Sequence, residues 1–101
     1  MMSSLILQLN IQEFCQSAEL PQAALLEIIE HGILEPSGAS PEQWLFDANA
    51  LVIAKRARRL QGELQIEWAG IALALQLLDE LEQLRAENSQ LRRRLSRFEA
   101  E

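Results

Sequence analysis

The sequence is poor in the residues that most often carry out chemistry. It holds one cysteine, one histidine and no tyrosine. A single cysteine excludes an internal disulfide and any zinc site that needs two or more thiolates. Cys15 stands beside Phe14 and reads as a small apolar residue turned toward the core, with no base or oxyanion cradle near it in sequence. His31 falls at the C-terminus of a helical stretch, where the dipole favours it, and has no companion at metal-ligand spacing. The four glycines are scattered and form no phosphate loop. No catalytic residue, cofactor site or metal site is therefore expected, and the chain is not read as an enzyme. No apolar run approaches the roughly 18–20 residues of a membrane span. Leu5-Ile6-Leu7 has no basic flank and is too short for a secretory signal. The expected location is the cytoplasm.

The most informative scarcity is of positive charge. The chain has 101 residues, with 15 acidic and 9 basic side chains and a formal net charge of −6. Residues 1–54 contain Glu13, Glu19, Glu27, Glu30, Glu35, Glu42 and Asp47, and no Lys or Arg. All nine cations lie in residues 55–101. A globally acidic chain repels phosphates at long range, which makes it a poor non-specific ligand for nucleic acid or an anionic membrane. The 49% of apolar residues suffices for one small core.

Hydrophobic periodicity gives the elements. Leu5, Leu7, Leu9 and Ile11 alternate with Ile6, Gln8 and Asn10, which predicts a short strand with one buried face. Residues 12–18 read as a short helix with Phe14, Cys15 and Ala18 inward, broken by Glu19-Leu20-Pro21. Pro21 opens a second helix that turns Ala24, Leu25, Ile28 and Ile29 inward and ends at Gly32. The spacing is that of a helix-turn-helix. Ile33–Pro36, a turn at Ser37–Pro41, and Gln43–Phe46 predict a two-stranded hairpin, with Trp44 and Phe46 on one face. Such a hairpin after a helix-turn-helix is a wing. Asp47 is a good N-cap for a third helix, with Ala50, Ile53, Ala57, Leu60 and Leu64 as its core stripe and Leu51, Ala54, Arg58 and Gly62 on another side. After a break near Gln65–Glu67, a long helix runs from Trp68 to Phe98, about 46 Å at 1.5 Å per residue. The expected fold is mainly α with a small β wing. A winged helix-turn-helix domain occupies residues 1–66, and residues 67–101 form a long C-terminal helix for dimerisation.

That last helix carries a heptad pattern. Leu77, Leu84, Leu91 and Phe98 fall at d, and Leu81, Asn88 and Leu95 at a. Leucine at d with one asparagine at a favours two strands in fixed register, so a homodimeric coiled coil is expected. Glu80 facing Arg85 and Glu87 facing Arg92 favour a parallel pair, although each such exposed contact contributes only about 0–1 kcal/mol. The competing reading is a helix folded back on its own domain.

The second helix of the helix-turn-helix decides between partners. Its outer face shows Ala23, Leu26, Glu27 and Glu30. A DNA-reading helix needs Arg, Lys, Asn or Gln for bases and cations for phosphates. Two carboxylates stand here instead, and the wing adds Glu35 and Glu42. The face is read as a protein-binding surface for a basic partner, with Glu13, Glu27, Glu30 and Glu35 as charges and Leu26 as the apolar anchor. The rival reading is a DNA-binding transcriptional regulator that sets Lys55, Arg56, Arg58 and Arg59 on the phosphate backbone. The plainer account of those cations is a solvated helix face, and of Arg92-Arg93-Arg94 the flank of a coiled coil.

Short blocks along the chain carry a family resemblance. Glu13-Phe14-Cys15, Gly32-Ile33-Leu34-Glu35-Pro36, Trp44-Leu45-Phe46-Asp47, the run from Trp68 to Leu75, and Leu91-Arg92-Arg93-Arg94-Leu95-Ser96-Arg97-Phe98 resemble the chaperone modulatory proteins of the CbpM family. The resemblance spans about residues 9–98. It implies a MerR-like winged helix that dimerises through an antiparallel coiled coil, the opposite of the orientation the flanking charges favour. It also implies a function. Such modulators bind the J-domain of the DnaJ-like co-chaperone CbpA, inhibit its stimulation of the Hsp70 chaperone, and reduce its DNA binding. The partner would then bring the chain to the nucleoid.

Overall fold

A computed structural model describes residues 7–100. They form four helices: α1 (Ile11–Ala18), α2 (Gln22–Glu30), α3 (Ala48–Leu64) and α4 (Trp68–Ala100), with one 3-10 turn at Pro41–Gln43.

Among the described residues the predicted N-terminal strand does not form. Asn10 caps α1 instead: its side chain accepts from the Glu13 amide at 2.8 Å, and the Glu13 carboxylate accepts from the Asn10 amide at 2.9 Å. This capping box satisfies two of the orphan donors of the helix end. Ile11, assigned to the strand by its alternation, is the first helical residue. What survives of the strand is one antiparallel bridge between Leu9 and Phe46, with hydrogen bonds of 2.8 and 2.9 Å. Leu5 and Ile6 lie outside the described residues. Asn10→Ala is expected to lower stability by about 1 kcal/mol. A thermal melt would show the loss, and Asn10→Asp should restore most of it.

The two-stranded β wing that the sequence predicts is not formed either. No strand forms among the described residues. Ser37 and Leu45 make a single antiparallel bridge, with hydrogen bonds of 3.2 and 2.9 Å. The reason is local. Pro36 and Pro41 cannot donate to a ladder, and Gln43, expected in the second strand, closes the 3-10 turn by donating to Ser40 at 2.8 Å. Gly38 holds the turn at φ +114, and a Cβ there would meet the backbone carbonyl of Gln43.

The helix pair ends as its sequence predicts. Glu19 stops α1 in the left-handed conformation (φ 56), and Pro21 caps α2. At the far end of α2, Gly32 donates to Ile29 and Ile33 donates to Ile28, both at 3.0 Å. With Gly32 at φ +77 this is a Schellman stop.

The core is two adjoining clusters. Phe14, Ala18, Leu20, Leu25, Ile28, Leu34, Phe46 and Ala54 form the first. Ala57, Ile71 and Leu75 form the second, and Ile33 and Trp68 pack against both. Phe14 and Phe46 stack with centroids 4.4 Å apart, and Trp44 meets Phe46 edge-on at 6.4 Å.

The third helix buries Ala54 and Ala57 completely. Ala54 belongs to the first cluster, although the sequence set it on the side away from the core stripe. The helix packs against α1 and α4 on separate faces, so one stripe does not describe it. Leu64, assigned to the core, is 49% exposed. It is the last residue of α3, where Gln65 turns the chain out of the helix at φ 54. Beyond Leu75, every described side chain of α4 is exposed. The helix projects from the domain, and the molecule measures 62 Å along its longest axis.

Candidate protein-binding site

The outer face of α2 is fixed by what lies beneath it. Leu25 and Ile28 are fully buried, and Ala24 and Ile29 are partly covered. Helical spacing then turns Leu26, Glu27 and Glu30 outward, and all three are exposed. Leu26, at 42% exposure, is a large apolar side chain left on a small domain. Neither carboxylate is in an ion pair among the described residues. The two pairs present are Arg56–Asp79 at 3.5 Å and Arg58–Glu19 at 3.9 Å. The face can therefore offer two unpartnered negative charges beside an apolar contact.

The other two candidates, Glu13 and Glu35, lie outside α2. Glu13 is held at the N-terminus of α1 by the capping box, so part of its hydrogen-bonding capacity serves the fold. Glu35 lines a small hollow with Gln8, Ser37 and Asp47. Glu27 lines a different hollow, with His31, Gln61, Glu67 and Trp68. Leu26, Glu27 and Glu30 share the exposed face of α2, whereas Glu13 stands on α1 and Glu35 follows the end of α2. Sequence reasoning missed Glu67 as a neighbour of this site, because it sits in the break between α3 and α4 and no periodicity points to it.

The cations of α3 are partly engaged. Arg58 reaches Glu19 at the end of α1, and Arg56 reaches Asp79 on α4. These contacts tie helices together at the surface, where each is worth about 0–1 kcal/mol. The expected Arg59–Glu63 contact is not among the ion pairs of the described residues. Val52, 65% exposed, stands among these cations without an assigned role.

Cys15 is half-buried and free, and burial pushes its thiol above the usual range. Little thiolate exists at neutral pH, so a thiol reagent should modify it more slowly than an unfolded-chain cysteine. The gap should close on adding denaturant, read by absorbance during labelling. Among the described residues, no group of three His, Cys, Asp or Glu is placed to hold a metal ion. No described helix is long and apolar enough to cross a membrane.

Comparison with known proteins agrees over nearly the full length. Residues 9–93 match the family described as MerR HTH family regulatory protein. A Pseudomonas putida protein named chaperone modulatory protein CbpM is 54% identical over 98 residues, covering 97% of each chain. The protein of the same name from Pseudomonas entomophila is likewise 54% identical over 98 residues, again 97% of each. The Escherichia coli protein of that name is 41% identical over 99 residues, 98% of each chain.

Proposed function

The chain belongs to the CbpM family of chaperone modulatory proteins, of the MerR helix-turn-helix type, and from that premise we propose that it inhibits a CbpA-type co-chaperone by binding its J-domain. A J-domain meets the Hsp70 chaperone through a helix rich in Lys and Arg. Covering that helix blocks the stimulation of Hsp70 and reduces DNA binding by the co-chaperone. The observation that carries this reading is the face of α2. At the position where a groove-reading helix needs cations, this chain presents Glu27 and Glu30 beside an exposed Leu26. Lowering that face toward duplex DNA would bring uncompensated carboxylates against phosphates, whereas a basic helix would neutralise them. The protein acts in the cytoplasm by occlusion, without a catalytic step, and reaches the nucleoid through its partner. It works as a homodimer joined along the α4 seam, where Leu77, Leu81, Leu84, Leu91, Leu95 and Phe98 stand exposed with Asn88 among them.

Calorimetric titration of the purified J-domain into the full chain tests the proposal, with Hsp70 ATPase stimulation as the functional readout. Binding should weaken as salt rises from about 0.1 M to about 1 M, because the screening length falls from about 10 Å to about 3 Å. Random-sequence duplex titrated under the same conditions should show no micromolar binding. Salt-insensitive J-domain binding would remove the electrostatic account. Micromolar duplex binding near physiological salt would favour the transcriptional regulator.

A further inference from the structure

Two hollows flank the C-terminal end of α2, and His31 lines both. The larger, about 590 Å³, lies between α2, α3 and α4. One of its two carboxylates is already answered from within, because Arg56 meets Asp79 there at 3.5 Å. The smaller, about 420 Å³, is lined by Glu27, His31, Gln61, Glu67, Trp68 and Ala69. Among the described residues neither Glu27 nor Glu67 is in an ion pair, with His31 or with any other cation.

The two carboxylates of the smaller hollow come from different parts of the chain. Glu27 is on α2, and Glu67 ends the connection from α3 to α4. That connection is braced. The Gln65 amide donates to the Gln61 carbonyl at 2.7 Å, and the Gln61 side chain donates to the Ile66 carbonyl at 3.3 Å. The Ile71 amide donates to the Glu67 carbonyl at 3.1 Å, at the start of α4. The backbone around Glu67 is therefore fixed on both sides, and its exposed carboxylate borders the same hollow as that of Glu27.

Trp68 supplies the aromatic wall. It packs against both core clusters and is half-buried, so the ring is pinned and only part of it is open to the hollow. Indole is the aromatic face that attracts a cation most strongly. Beside it ends α2, whose last carbonyls favour positive charge and whose last turn holds no basic residue. An indole wall, two carboxylates without a partner and a helix C-terminus all select a cation. A guanidinium is the cation that stacks on an aromatic face and donates to two acceptors at once. An ammonium is a compact, strongly hydrated point charge and uses the flat wall less well. The hollow is also continuous with the outer face of α2, since Glu27 belongs to both.

We propose that this hollow receives one arginine side chain of the basic partner, which stacks on Trp68 and donates to Glu27 and Glu67. The inference rests on the J-domain reading above and adds Glu67 and Trp68 to the surface that binds.

Calorimetric titration of the J-domain into full-chain variants tests it. Glu67→Gln should weaken binding by about tenfold. Glu42→Gln, which removes another exposed carboxylate, should change it little. The arginines and lysines in the basic helix of the J-domain are then changed to alanine one at a time. At one arginine the two changes should not add, because Glu67→Gln removes little once its partner is gone. Fluorine spectra of the chain labelled with fluorotryptophan give an independent readout, with Trp44→Phe assigning the two signals. The Trp68 signal should shift when unlabelled J-domain is added, and that of Trp44, which does not line the hollow, should move less. Unchanged affinity in Glu67→Gln, or a Trp68 signal that stays in place, would overturn the receptor and leave the J-domain reading standing. An equal loss from Glu67→Gln against every alanine variant would show a diffuse charge effect and overturn it too, as would coupling to a lysine alone. Absence of J-domain binding by the unmodified chain would overturn the J-domain reading and the receptor with it.

Discussion

Phe14→Ala is expected to cost about 3–5 kcal/mol, a large share of the stability of a domain of this size. Phe14 has no exposed surface, and its ring stacks on Phe46 at 4.4 Å. It sits on α1, and Phe46 sits at the bridge with Leu9 that holds the N-terminal segment. The pair therefore joins α1 to the segment that leads into α3. Removing either ring leaves a cavity that neighbours held by short turns cannot refill. At about 0.05–0.15 kcal/mol per residue, a chain of 101 residues has little reserve. Urea unfolding followed by circular dichroism should show the midpoint of the variant strongly lowered. Phe14→Leu should retain a cooperative transition at a lower midpoint, since most of the volume remains.

The double change Glu27→Lys and Glu30→Lys is expected to weaken J-domain binding by about ten- to hundredfold while leaving the fold intact. Both side chains are exposed and outside every ion pair of the described residues, so their reversal removes no internal contact. The change converts an attractive surface to a repulsive one, and association rate should fall most because steering acts on encounter. Leu26→Ala should act differently. It removes apolar contact and should speed dissociation with little change in salt dependence. Stopped-flow or surface-capture kinetics separate the two effects. Reversing Glu13 should do less, because its carboxylate is already engaged with the Asn10 amide in the capping box.

The helices were written clearly in the sequence, and the reasons are local. Asp47 accepts from the Ala50 amide at 2.8 Å as an N-cap should, Gly32 takes the left-handed stop of α2, and the break before Trp68 leaves α4 where its apolar run begins. Leu25 and Ile28 follow from a stripe that only one face could bury. The failures are local as well. Asn10 followed three residues later by Glu13 is a capping signal, but the alternating leucines beside it read more loudly as a strand. The predicted β wing is not formed because period-two patterns in four residues cannot report that prolines interrupt the ladder. Ala54 and Leu64 exchanged roles because α3 packs on two sides and ends at an uncovered corner. The acidic face was legible from charge alone.

The central claim is that the outer face of α2 meets the basic partner. Amide spectra of the isotope-labelled chain, recorded as unlabelled J-domain is added, test it most directly. Shifts or broadening concentrated at Leu26, Glu27 and Glu30, with Lys55–Arg59 little changed, are the predicted result. Perturbation confined to residues 55–59, with residues 22–31 unmoved, would contradict it.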